Sequence, residues 1–261
     1  MKYLPFLLLS LIFVTACNTN VNEIESEQSG PALVIVDSKL EEQEIFAANN
    51  VVGIREYLQI YPDTAQTDTS FLIRYTIIDS LGRELKSAEY RIDGMMLQNT
   101  ATQYDESGKR ITSETIGSTG VTRGTAFYTY DEWGRPAEVV RYIGPDQSSP
   151  VFMRVSYLPD ERQVHQNLYT EDSTLISNLR YKVNEEGRFE ESNFSRNDQE
   201  FSQYFQYNEQ GWLIEDLLVS DGRVYARTYY QYNDAGLKTY KWLIGVGDSL
   251  EGIVEYQYDY Q

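Results

Sequence analysis

The stretch Tyr128-Thr129-Tyr130-Asp131-Glu132-Trp133-Gly134-Arg135 decides how this chain folds. Tyr128 and Tyr130 alternate as strand residues do, which puts both rings on one face. Asp131 suits the first position of a type I turn, where its carboxylate accepts hydrogen bonds from nearby backbone amides. Gly134, three residues on, can take the positive φ that closes such a turn as a G1 bulge. A second strand then runs back from Arg135. The stretch therefore spells one β-hairpin.

The same words recur along the chain. Their turn residues are Asp79 and Gly82, Asp105 and Gly108, Asp131 and Gly134, Asn184 and Gly187, Asn208 and Gly211, and Asn233 and Gly236. Tyr157…Asp160…Gln163 is a degenerate copy without glycine, and Tyr256-Gln257-Tyr258-Asp259 begins another. With Gln163 standing in for glycine, successive positions lie 26, 26, 29, 24, 24 and 25 residues apart. A period of this length marks stacked supersecondary units. Each unit is a hairpin, and Asp221-Gly222 supplies a two-residue turn between units. The expected fold is mainly β: a wide, curved antiparallel meander of about 14–16 strands, open or barrel-like, built from hairpin repeats of about 25 residues. The strands do not read as a membrane barrel, because Glu190, Arg227, Lys241 and Glu255 interrupt any apolar band.

The Tyr-Asp-x-x-Gly-Arg core resembles the YD repeat of RHS-type proteins over roughly residues 70–261. In large members of that family the repeats wrap a cargo domain into a shell. The repeat carries no catalytic residues, so the resemblance implies an architecture and no activity.

The beginning of the chain reads as an address. Lys2 precedes an apolar run from Leu4 to Val14, about half the length a spanning helix needs. Val14-Thr15-Ala16-Cys17 resembles the lipobox of bacterial lipoproteins, which implies cleavage between Ala16 and Cys17 and lipidation of Cys17, the only cysteine in the chain. Several acyl chains on one residue anchor a protein durably. Asn18 rather than Asp after that cysteine points to the outer membrane by the sorting rule of enteric bacteria. The expected partner is thus a membrane, reached through the N-terminal lipid, in the cell envelope.

Four regions follow: a signal peptide over 1–16, the lipidated cysteine with a flexible acidic tether over 17–37, a helical segment over 38–62 and the repeat domain over 63–261. Polar, acidic residues 18–31 bury too little apolar area to offset chain entropy. Ser38 and Glu41 fit a helix capping box. Val51, Ile54, Leu58 and Tyr61 keep a helical spacing up to Pro62, with Gly53 a weak point in the middle.

Composition limits the function. The chain has 261 residues with 22 Lys and Arg against 40 Asp and Glu, a net charge of −18. No basic surplus exists to neutralise phosphates, so nucleic acid is not an expected partner. One cysteine and one histidine exclude a multi-cysteine or His-rich metal site. No phosphate loop, dinucleotide fingerprint or nucleophile elbow is present, so neither a cofactor nor a catalytic residue is assigned. His165 alternates with Val164 on a strand and reads as a pairing residue. Trp133, Trp212 and Trp242, among 22 Tyr and 10 Phe, are candidates for stacking on a sugar or peptide, or else part of the packing between repeats. The function expected is a non-catalytic binding or scaffold module presenting a continuous curved sheet, without a deep polar pocket, to an envelope protein or glycan. The alternative is an envelope enzyme acting on polysaccharide through two carboxylates across a cleft.

Overall fold

The computed structural model describes residues 35–36, 38–61, 69–144, 146, 148–196 and 199–261. The signal peptide, Ala16, Cys17 and most of the tether lie outside these residues. One helix, α1 (Ser38–Ala48), precedes sixteen strands. The first eight are β1 (Val51–Ile60), β2 (Ser70–Ile78), β3 (Glu84–Tyr90), β4 (Met96–Tyr104), β5 (Arg110–Gly117), β6 (Thr122–Tyr130), β7 (Pro136–Ile143) and β8 (Ser149–Leu158). The rest are β9 (Gln163–Thr170), β10 (Leu175–Val183), β11 (Phe189–Arg196), β12 (Gln199–Tyr207), β13 (Leu213–Ser220), β14 (Arg223–Tyr232), β15 (Lys238–Ile244) and β16 (Leu250–Tyr260). Each strand pairs antiparallel with its neighbours in sequence, and β1 pairs with both β2 and β16. The sheet is therefore a closed barrel and not an open meander.

Closure corrects the sequence reading at residues 51–60. The helical spacing there yields to strand β1, because two ladders, one on each side, offer it more hydrogen bonds than an isolated helical turn would. Gly53 shows what the position requires: a Cβ there would lie 2.7 Å from Asp259 Oδ2 and 3.1 Å from the Tyr75 hydroxyl. Only residues 38–48 of the expected 38–62 segment are helical. Glu41 does not complete a capping box. Its two carboxylate oxygens accept from the Arg188 guanidinium at 2.8 and 2.9 Å.

The repeat turns share one geometry. At the first, the Gly82 N–H donates to the Asp79 carbonyl and the Asp79 N–H to the Arg83 carbonyl. Asp79 Oδ1 accepts from the N–H groups of Leu81 and Arg83, both at 2.9 Å. Asn208 and Asn233 bind their own turns in the same way. The closing glycines have φ of 77–86°. A bulge stands just before each of these turns, for example between Gln103 and Tyr104.

Tyrosine links one repeat to the next. The Tyr104 hydroxyl donates to the Glu84 carbonyl at 2.9 Å, Tyr130 to Arg110, Tyr157 to Pro136, Tyr232 to Leu213 and Tyr258 to Lys238. The residue after each turn glycine lies over the same ring. Arg83 stacks on Tyr104 at 4.7 Å, Lys109 on Tyr130, Arg188 on Tyr207, and Trp212 packs on Tyr232 at 5.3 Å. Cation–π contact and a hydroxyl bond at one residue explain why the repeat is written with Tyr and Arg.

The N-terminal segment crosses the mouth formed by these turns. Ile35 is buried with Val164, Tyr181 and Val183 on β9 and β10. Phe46 is buried with Val51, Ile54, Ile78 and Leu237. In the sixteen-strand order β9 stands opposite β1, so Ile35 and Phe46 are seated on opposite walls. An eleven-residue helix of about 16 Å, plus about 10 Å for the residues before it, matches a barrel about 30 Å across. The end of the expected flexible tether is thus packed: the Val36 N–H donates to the Gly187 carbonyl. Among the described residues no element crosses the other mouth.

Candidate functional site

Residues facing each other across a ladder share a side of the wall, so the register sorts inward from outward positions. Ile54, Thr76, Ser87, Thr100 and Thr115 face one another in succession, with Thr76 and Ser87 buried, and form one inward row. The outward set carries Arg154 bonded to Glu138 at 3.0 Å, Arg227 paired with Glu215 at 3.0 Å, Asn178 bonded to Asn167 and Ser202 to Asn193. The same outer face also carries apolar rows, such as Phe127, Val140, Phe152 and Tyr169 in succession, with Phe127 exposed. Of the four charges read from sequence as interrupting an apolar band, Lys241 in fact faces inward, opposite Tyr230 and Val254.

The sequence candidates do not converge. Trp133 is 47% exposed on its turn, with Arg135 over its ring. Trp212 packs between Tyr232 and the turn at Gly236 and helps line a shallow groove with Glu41, Ile45 and Gln210. Trp242 stands on the outer wall opposite Tyr229, beside Tyr240. His165 also faces outward, its Nε2 2.9 Å from Gln163 Oε1. Burial and then Arg180 hold its pKa below the ordinary imidazole value.

The interior holds the concentrated chemistry. Arg74 lies on β2 two residues from buried Thr76 and one ladder step from Glu56. It contacts Glu84 at 3.4 Å and Glu56 at 3.9 Å. Its side chain nevertheless remains 37% exposed. An inward side chain reached by solvent means that the lumen contains water-sized space, as expected for a barrel of this strand number. Arg110 faces Tyr104 and lies over the Tyr128 ring at 5.4 Å. Lys238 binds Glu42 of α1 at 2.8 Å. The Tyr230 hydroxyl donates to Asp216 Oδ2 at 2.7 Å.

This enclosure shifts the titrating groups. Burial works against the Glu84 carboxylate, but Arg74 and Lys39 outweigh it and hold its pKa below the usual range. Burial pushes the Asp216 carboxyl up, against the hydrogen bond from Tyr230. Burial also lowers Lys241, and burial and then Arg110 bring Lys39 of α1 down to about 8. Glu56 and Glu84 are bridged by Arg74, so they form an ion-pair triad and not two carboxyl groups facing across a gap. Among the described residues no group of three or more His, Cys, Asp or Glu is placed to hold a metal.

The barrel-like form of the expected sheet is the one found: the sheet closes, and the polar groups named above lie on its inner face. Sequence reasoning passed over these residues although a signal was there. Charges alternate in phase with apolar side chains, as in Ile54-x-Glu56-x-Leu58, Asp216-x-Leu218 and Lys241-x-Leu243. A charge in phase with the buried side of a strand belongs to an enclosed polar site or to a channel.

No protein-family model matches this chain, and no curated protein matches it in sequence. Solved structures do. A porin-like protein from Bacteroides uniformis is similar over 80% of this chain and 98% of its own, with 10% identity and a TM-score of 0.54. A porin-like protein from Bacteroides vulgatus covers the same shares with 14% identity and a TM-score of 0.38. The first likeness is one of fold: this chain is a closed antiparallel β-barrel of sixteen strands with an N-terminal helix.

Proposed function

We propose that this chain is a lipid-anchored envelope protein whose barrel is a non-catalytic binding module, with its ligand taken up in the lumen. The observation that carries the binding reading is the enclosed charge set Arg74, Glu56, Glu84 and Lys241 in a solvent-reached interior that α1 crosses at one mouth. A barrel that served only as a scaffold would gain nothing from inward charges, because each costs desolvation that an apolar side chain would not. The lipobox supports the anchor, with Cys17 the single cysteine and the point of attachment. The YD-type repeat is read as the structural unit of the wall. The likeness to a porin-like Bacteroides protein supports an envelope location, and Asn18 supports the outer membrane.

Two measurements test this. Cells fed a labelled fatty acid should incorporate it into the wild-type protein but not into Cys17→Ser, which should leave the membrane fraction. Label in the Cys17→Ser variant, or unchanged membrane retention, removes the anchor. Ligand screening by thermal shift should find compounds whose effect is lost in Arg74→Lys or Lys241→Met, each read against that variant's own unliganded midpoint. Ligands indifferent to Arg74 and the other inward charges would remove the lumen site.

A further inference from the structure

One inward row of the barrel is planar and polar from strand to strand. It starts two residues along from buried Ile54 and runs Glu56, Arg74, Glu89, Gln98 and Gly117 across β1 to β5, each facing the next. Gly117 has no side chain, and Arg123 of β6 lies over it: a Cβ there would stand 2.7 Å from Arg123 Nε. The Gln98 amide ties the row together. Its Nε2 donates to Glu89 Oε2 at 3.0 Å, and its Oε1 accepts from Arg123 Nη1 at 3.5 Å. The next inward row, one step nearer α1, is made of hydroxyls: Thr76, Ser87, Thr100 and Thr115, the last two bonded to each other at 3.0 Å.

The facing wall is apolar. In the sixteen-strand order β11, β12 and β14 stand opposite β3, β4 and β6. There Phe194 faces Phe201 with the rings stacked at 5.2 Å, and Tyr225 meets the Phe201 ring edge-on at 5.9 Å. Phe194 lies two residues from Ser192, which faces buried Tyr181, so these rings are on the inner side. Glu89 and Gln98 stand near the end of β3 and the start of β4, and Phe194 and Phe201 near the end of β11 and the start of β12, so both sets lie toward the same mouth. All four are half-buried, and solvent reaches them.

The row carries no net charge, since Glu56 and Glu89 answer Arg74 and Arg123. Arg74 is paired with Glu56 and Glu84, and Gln98 stands between Glu89 and Arg123. A charged ligand would have to break these contacts before making its own. A hydroxyl would not. It donates and accepts at once, and so uses the lone pairs and N–H groups left at the edges of a carboxylate, an amide and a guanidinium. Neighbouring strands lie roughly 4.8 Å apart, close to the length of one sugar ring, so successive planar groups can meet successive sugars. The aromatic faces opposite suit the C–H side of such a ring.

We propose that the lumen takes a neutral oligosaccharide, with its hydroxyls on Glu56, Arg74, Glu89, Gln98 and Arg123 and a ring face on Phe194, Phe201 or Tyr225. This rests on the lumen-binding reading above and names its ligand class. The two walls stand about 30 Å apart between backbones, so several sugar units are needed to touch both. A monosaccharide reaches only one of them.

The test uses the Cys17→Ser protein, which carries no lipid, on an array of neutral, acidic and amino glycans from monosaccharides to octasaccharides. The best-bound glycan is then titrated by calorimetry. It should be neutral and oligomeric, and its affinity should be the same at low and high salt, whereas a charged ligand would weaken. Gln98→Ala, Glu89→Ala and Phe201→Ala should each weaken it at least tenfold, with circular dichroism confirming that at least one of the first two is folded. Arg154→Ala on the outer wall should leave it unchanged. No glycan bound, acidic glycans alone bound, or an affinity indifferent to a folded Gln98 or Glu89 variant overturns the oligosaccharide. The thermal-shift screen separates this failure from that of the lumen reading. Hits that need Arg74 or Lys241 and are not glycans leave the lumen reading standing. Glycans and screening hits that are alike indifferent to every inward variant overturn both.

Discussion

The two mouths of the barrel use the same backbone device with different consequences. Gly82 and Gly236 close repeat turns with positive φ, and so do Gly94 and Gly120 at the other end. At the repeat-turn mouth the glycines are packed on. A Cβ on Gly82 would lie 1.9 Å from the Gln43 carbonyl oxygen of α1, and one on Gly236 would meet Trp212 and Ile45. At the other mouth a Cβ on Gly94, Gly120, Gly222 or Gly247 would meet nothing within 4 Å. One end is therefore a platform, kept level by repetition so that a helix can lie across it. The other, among the described residues, is a rim of unlike connections, with open space beside Gly94, Gly120, Gly222 and Gly247. The regularity visible in the sequence serves the end that α1 crosses.

The largest expected effect breaks or upholds this contrast directly. Gly82→Ala combines left-handed strain with a collision against the helix backbone, and should cost about 3 kcal/mol in urea unfolding. Gly120→Ala carries the strain alone and should cost about 1 kcal/mol. Equal costs would mean that α1 does not rest on the turn.

Next in size is the turn carboxylate. Asp79→Ala removes the acceptor of two backbone N–H groups and the partner of Arg83, and should cost about 2 kcal/mol. Asp79→Asn keeps the turn bonds and loses only the ion pair. Burial opposes the Asp79 charge, but Arg83 and the turn amides hold its pKa below the ordinary value. The folded pKa is depressed, so the ionic contribution is present above the unfolded value of 3.8 and is lost as pH falls through the folded one. The wild type and Asp79→Asn should therefore converge in stability below about pH 3. Tyr104→Phe comes third. It removes one hydroxyl bond of the inter-repeat ladder and keeps the ring under Arg83, for about 1 kcal/mol.

A pH-dependent effect concerns the underside of α1. The folded pKa of Lys39 is about 8 against an ordinary 10.5, so between these values the unfolded chain binds more protons. Stability attributable to Lys39 then rises with pH across that window. Lys39→Met should be more stable than the wild type at pH 7, with the gap closing by about pH 10. A gap that stays constant with pH would place Lys39 in free solvent.

The hairpin was legible because it is local. Asp131 and Gly134 set a turn within four residues, and Tyr130 sets the strand next to it, so no distant contact is needed to read them. The lumen was not legible in the same way. Arg74, Asp216 and Lys241 lie far apart in sequence, and nothing local says that their strands curl toward a common axis. Their phase with Thr76, Leu218 and Leu243 marks them as lying on the apolar side of each strand, but it does not say whether that side is a dry core or a wet interior. Residues 51–60 failed for a related reason: Val51, Ile54 and Leu58 fit a helix locally, and only the two neighbouring ladders override that fit.

The sequence by itself determined the period, the turn chemistry, the excess of tyrosine and the lone cysteine of the lipobox-like segment, since each is written within a few residues. The tertiary structure decided that β1 meets β16 and closes the sheet, that α1 lies at one mouth, and that the inward charges share one interior. Closure depends on the twist accumulated over sixteen strands and on a ladder between residues about 200 apart in the chain, and no window of sequence contains that sum.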